Sequence, residues 1–218
     1  MSLAATAADD LLLEAPVTRR FAITFDYLCP FARNANEHVV AGLRAGADWD
    51  VRFLPYSLAQ GHVEEGQPDV WERSDPHGAS GLLALQVGIS VRDHYPDRFL
   101  DVHDALFAAR HDHGGDIKDR TVLTDVLARH GLPAAEVFDT IDDGGPLGQL
   151  QKEHEQAVDD HAVWGVPTFV TDRRAVFVRL LDRPAGDAEV ATTRIEQVVD
   201  LVDGSLDLHE FKQADLPI

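Results

Sequence analysis

The chain has 218 residues, long enough to bury a core without metal or disulfide staples, and its 44% hydrophobic and 26% charged residues make an ordinary globular balance. Its 19 Lys and Arg against 38 Asp and Glu leave a formal net charge of -19, which argues against holding a phosphate backbone, so nucleic acid is not an expected partner. No apolar run approaches the ~20 residues that span a bilayer, so no membrane is expected, and a single cysteine without an export signal suits a reducing cytoplasm.

Residues 1–18 read as an N-terminal extension without regular structure. Leu11-Leu12-Leu13 is flanked by Asp9, Asp10 and Glu14 with no basic region before it, so a signal peptide is not expected. Phe21-Ala22-Ile23-Thr24-Phe25 is β-branched or aromatic apart from Ala22 and predicts a strand. After Pro30, the residues Phe31, Ala32, Ala35, Val39 and Leu43 recur at three- and four-residue steps and predict a helix. Cys29 is then its N-cap and Pro30 its first residue, a position where the missing N–H costs nothing. Trp49 to Pro55 reads as a second, parallel strand closing a βαβ unit, with Pro55 ending it or marking a sheet edge. Ser57 to Ser80 is rich in Gly and Pro and predicts a long loop with at most one helical turn around Val70-Trp71. Such a loop either closes over the sulfur or serves as an irregular connection.

From Gly81 to His161 the pattern is helical. Phe99, Val102, His103, Leu106 and Phe107 form one stripe; Val122, Leu123, Val126 and Leu127 form another, stopped by Gly131 and Pro133. A short helix carries Val137, Phe138 and Ile141, and after Gly144-Gly145-Pro146 a longer one carries Leu150, His154, Ala157 and His161, the two histidines expected at its edge. Trp164 to Val170 and Arg174 to Leu180 predict an antiparallel hairpin around Asp172-Arg173. Asp187 is a fair N-cap for a last helix faced by Val190, Arg194, Ile195, Val198 and Val202 and stopped by Gly204. The expected organisation is residues 19–66 plus 162–204 as the main domain and 67–161 as a helical insertion. A tail at 205–218 would pack on the domain or on a partner subunit.

The chemistry centres on Cys29. Unpaired amides and the positive end of a helix favour an anion, and in such settings a thiol pKa falls from ~8.5 to roughly 3.5–7.5. The competing reading is a small buried hydrophobe. Asp26 would oppose the thiolate by like charge and Tyr27 would donate to it, or both would merely anchor the turn. His111-Asp112-His113 is the densest candidate metal cluster, but beside Gly114-Gly115 it reads as a solvated polar turn, and no metal is expected. Neither a phosphate-binding glycine loop nor a G-x-S-x-G elbow is present.

Phe25-Asp26-Tyr27-Leu28-Cys29-Pro30-Phe31-Ala32, joined to Gly165-Val166-Pro167-Thr168-Phe169-Val170, resembles the DsbA-like thioredoxin superfamily. That group includes disulfide oxidoreductases, 2-hydroxychromene-2-carboxylate isomerases and kappa-class glutathione transferases. The segment from Leu106 to Leu123 is similar to the helical insertion those proteins carry. The resemblance implies an α/β class, with a thioredoxin-like fold (βαβ, then ββα) and an all-helical insertion. It also implies a cis Pro167 facing Cys29, with Pro30 and Phe31 shaping the approach and Val166, Pro167 and Thr168 holding substrate backbone. The departure is Ala32, which stands where disulfide oxidoreductases of the group carry a second cysteine; an internal disulfide is impossible. The expected activity is monothiol disulfide exchange through Cys29, with a small thiol such as glutathione as co-substrate and no tightly bound cofactor. Its partner is a small thiol or disulfide, and a homodimer is compatible with it. The first alternative is a transferase or isomerase that activates a glutathione-type thiol, although those relatives resemble Ser-Pro at this position. The second is a non-catalytic binding module.

Overall fold

The computed structural model describes residues 18–75, 81–205 and 207. The N-terminal extension through residue 17, the end of the long loop at 76–80 and nearly all of the tail lie outside the described residues. Strand β1 (Arg19–Phe25) leads through the Cys29 turn into helix α1 (Pro30–Arg44), and β2 (Trp49–Pro55) follows. Helix α2 (Leu58–Gly61) and a single 3-10 turn (Val70–Glu72) precede five helices: α3 (Leu82–His94), α4 (Pro96–His111), α5 (Arg120–Arg129), α6 (Ala134–Asp142) and α7 (Gly145–His161). The chain then returns to the sheet as β3 (Thr168–Val170) and β4 (Ala175–Phe177), and α8 (Ala188–Gly204) completes the described part. This is a thioredoxin-like α/β fold with a helical insertion, as the resemblance implies.

The sheet order is β2-β1-β3-β4. β1 and β2 are parallel, with Ile23 opposite Phe53, and β3 runs antiparallel to both β1 and β4. Pro55 ends an edge strand, where its missing donor breaks no ladder. Because side chains alternate along a strand, Phe25 and Phe53 point to the face on which α4 lies, and both rings pack on His103. α1 packs against α8 and α4 there, while α7 lies against β2 and α3.

Four elements differ from expectation. Helix α2 forms inside the predicted loop because the Ser57 hydroxyl accepts the Gln60 N–H at 3.2 Å. Helix α3 is the centre of the insertion, with every residue from Leu82 to Val91 buried, so it lacks the polar face that would have marked its limits. The hairpin strands are shorter than the apolar run, since Thr171 N–H donates to the Arg174 carbonyl and closes the turn immediately after Val170. In α8, Asp187 caps Glu189 and Val190 as expected, but Val190 is exposed and Ala191 takes its place in the core.

Candidate active site

β1 fixes where the site begins. Phe25 is fully buried, and the chain leaves the sheet through Asp26 and Tyr27, both also buried. One Asp26 carboxylate oxygen accepts the Leu28 N–H at 2.9 Å and the other accepts Leu58 N–H at 2.8 Å, stapling the turn to the start of α2. Burial pushes the Asp26 carboxyl up to about 6, with the Leu28 and Leu58 amides opposing. Of the two roles open to Tyr27, donor to the sulfur or anchor of the turn, the hydroxyl takes the second: it lies 2.9 Å from His103 Nδ1. The other ring nitrogen of His103 lies 3.1 Å from Asn36 Oδ1, and Asn36 Nδ2 donates to the Ala32 carbonyl at 2.8 Å. Asn36 Oδ1 can only accept, so Nε2 carries the ring hydrogen and Nδ1 of the neutral ring accepts from the Tyr27 hydroxyl; one buried chain of hydrogen bonds thereby joins the turn, α1 and α4. Gly88 of α3 makes room for it, because a side chain there would collide with the Tyr27 hydroxyl.

Cys29 has extended backbone geometry at the N-cap of α1, with Pro30 first in the helix. The sulfur is half-buried, accepts the Ala32 N–H at 3.4 Å, and its S–H donates to the Val166 carbonyl at 3.5 Å. The expected depression of its pKa is corrected by the structure. Burial pushes the Cys29 thiol up; the Ala32 and Phe31 amides pull it down, Asp26 pushes it up, and Arg179 pulls it down. The helix N-terminus does favour the thiolate, but it does not outweigh desolvation. Alkylation of native Cys29 should therefore keep accelerating about tenfold per pH unit through pH ~8.5, where the denatured chain begins to level off. A native plateau at lower pH than the denatured one would show that the helix amides outweigh burial.

The Val166–Pro167 peptide bond is cis, and both residues are buried beside the sulfur. Thr24 and Thr168 hold this loop: Thr168 N–H donates to Thr24 Oγ1 at 2.8 Å, and Thr168 Oγ1 donates to the Gly165 carbonyl at 2.8 Å. Both donors of Thr168 are thereby engaged within the chain, and its hydroxyl positions the loop instead of facing an incoming group. The Pro167 carbonyl accepts Val178 N–H at 3.1 Å, which leaves the Val166 carbonyl as the loop's group facing Cys29. Pro30 is exposed and Phe31 half-buried, so these two form the open side of the site.

The histidines are placed elsewhere. His111 Nε2 lies 3.0 Å from the Tyr27 carbonyl, and Asp112 pairs with Arg33 at 2.5 Å, so this cluster anchors the turn to the end of α4. His154, expected at a helix edge, is buried: its Nδ1 accepts Ser57 N–H at 3.2 Å and its ring packs at a tilt on Tyr56. His161 is exposed at the end of α7.

The sequence profile of the DSBA-like thioredoxin domain matches residues 22–182, which hold the Cys29 turn, the insertion and the Pro167 loop. The chain belongs to that family. Among solved DsbA-like and related structures, the cytosolic disulfide reductase DsbM from Pseudomonas aeruginosa, determined with GSH, is 17% identical, with 84% of this chain and 100% of that one covered and a TM-score of 0.59. A probable DsbA oxidoreductase from Streptomyces coelicolor is 18% identical over 90% of this chain and 94% of that one, with a TM-score of 0.57. A 2-hydroxychromene-2-carboxylate isomerase is 13% identical over 86% and 98%, with a TM-score of 0.60. At these identities the likeness is one of fold. No curated protein sequence is significantly similar to the chain. Among the described residues no helix is long and apolar enough to cross a membrane.

Proposed function

We propose that the DsbA-like chain is a monothiol oxidoreductase in which Cys29 exchanges with a small disulfide or a thiol-modified protein. The observation that carries this reading is the half-buried sulfur at the N-cap of α1, set between the Ala32 amide and the Val166 carbonyl in a chain with no second cysteine. The Cys29 thiol gives its proton to solvent, and the thiolate attacks one sulfur of the disulfide. The S–S bond breaks, one thiolate leaves, and a mixed disulfide forms on Cys29. A second small thiolate then attacks the outer sulfur, releasing a new disulfide and restoring Cys29. Raised pKa makes the thiolate scarce at neutral pH but more nucleophilic once formed. A glutathione-type thiol is the proposed co-substrate, supported by the GSH in the DsbM structure, and a reducing compartment such as the cytoplasm would supply it. Pro30 and Phe31 shape the approach, and Val166 accepts a hydrogen bond from the bound partner once Cys29 has no proton to donate.

Intact mass spectrometry tests the proposal. Incubation with glutathione disulfide should add one glutathione per chain, and excess reduced glutathione should remove it. No adduct, or an adduct that excess thiol leaves in place, would overturn it.

One observation favours a second reading. The Cys29 S–H is already a hydrogen-bond donor, to Val166, and a protonated donor is what a transferase or isomerase would use to hold an external thiolate without bonding to it. In that case a serine in its place would retain activity.

A further inference from the structure

Around Cys29 the exposed side is aromatic and carries a cation, Arg179, whose charge no neighbour among the described residues neutralises. Arg179, just beyond β4, holds its guanidinium 5.1 Å from the centre of the Phe31 ring and 5.7 Å from that of Phe177. Trp164, 69% exposed, packs against Phe177 with the ring centres 4.6 Å apart. Arginines close by in the fold are neutralised: Arg33 pairs with Glu37 and Asp112, and Arg183 pairs with the same two carboxylates. Among the described residues no carboxylate lies within salt-bridge range of Arg179, which is exposed. Aromatic rings satisfy the face of a guanidinium and leave its N–H edge open, the geometry that takes a carboxylate through two parallel hydrogen bonds.

The setting gives that cation a task. A net charge of -19 repels anions at range, and buried Asp26 adds a negative charge near the sulfur itself. Salt screens the distant charges beyond about 8–10 Å, so what an anionic ligand meets at the site is decided by the nearest groups. Arg179 is the cation that acts on Cys29, and it sits on the residue two positions into α1.

We propose that Arg179 sets the substrate class of the Cys29 site: seated on Phe31 and Phe177, it binds the carboxylate of a small anionic disulfide or thiol whose sulfur meets Cys29. The assignment rests on the exchange role given to Cys29 above. Exchange follows the same balance, with one S–S bond broken, one formed and a carboxylate-bearing thiolate leaving.

The test compares two disulfides of opposite charge, dithiodipropionate and cystamine, on the wild-type chain and on Arg179→Gln and Arg179→Glu. Taking the ratio of the anionic to the cationic rate removes any change in the reactivity of Cys29 itself. The ratio should fall by about fivefold to tenfold in Arg179→Gln and fall further in Arg179→Glu, and these differences from the wild type should shrink in high salt. Arg179→Lys should recover part of it. An unchanged ratio in both variants, with both disulfides still reacting, would overturn the role of Arg179 and leave the exchange reading intact. Failure of the wild-type chain to react with either disulfide would instead overturn the exchange reading, and this assignment with it.

Discussion

Cys29→Ser is expected to lower the proposed disulfide exchange by on the order of a thousandfold or more, because in that mechanism the Cys29 thiolate is the nucleophile and the chain has no other thiol to substitute for it. The fold should hold. Serine is among the best N-cap residues, and its shorter hydroxyl can take over the Ala32 amide that the sulfur now accepts at 3.4 Å. The variant should therefore unfold at a denaturant concentration close to that of the wild type, within about 1 kcal/mol. Exchange measured on a chromogenic disulfide, together with that unfolding curve, separates the readings of the site. Lost exchange with an intact fold supports the covalent route. Exchange that survives the substitution overturns it. Thiol-dependent transfer or isomerisation that survives, on a chain that never forms a mixed disulfide, moves the site to the hydrogen-bonding role in which Cys29 acts as serine would.

The parts of this architecture that were legible in the sequence are those governed by near neighbours. Cys29 at an N-cap follows from Pro30 and from the period of Phe31, Ala35 and Val39; β2 follows from the β-rich run that Pro55 closes. Helix α3 was not legible as a separate element because burial from Leu82 to Val91 removes the polar face that sets a period. The state of the thiol was not legible either. The N-terminal amides that favour the thiolate are two and three residues away in sequence, but the burial that opposes them comes partly from Val166, 137 residues on. The choice between the two roles open to Tyr27 has the same cause, since its partner lies on α4. A signal for that partner did exist. His103 interrupts an apolar stripe of Phe99, Val102, Leu106 and Phe107, and a polar side chain on a buried face requires hydrogen-bond partners. The seat of Arg179 has no local signature, because it needs Phe31 from α1 and Phe177 from β4 together.

His103→Leu is expected to cost about 2–5 kcal/mol at pH 7, since it leaves the Tyr27 hydroxyl and Asn36 Oδ1 buried without partners. The loss should diminish in acid. Burial among Phe25, Phe53, Phe99 and Phe107 pushes the His103 imidazole down to about 3 from 6.5. A group with its folded pKa below its unfolded one gives stability that is complete above the unfolded value and is lost as pH falls towards the folded one. For His103 that loss runs from pH 6.5 towards 3 and amounts to about 5 kcal/mol in full. The leucine variant lacks it, so its stability and that of the wild type should converge near pH ~4. Asp26 acts in the other direction: with its folded pKa raised to about 6 from 3.8, it adds stability as pH falls through that interval, equally in both chains. The difference between the two urea-unfolding curves against pH therefore isolates His103. A constant difference from pH 7 to pH 4 would mean that the imidazole is not held neutral by burial. A difference that closes, accompanied by slower alkylation of Cys29 in the variant at pH 7, would tie the buried Tyr27–His103–Asn36 chain to the placement of the sulfur.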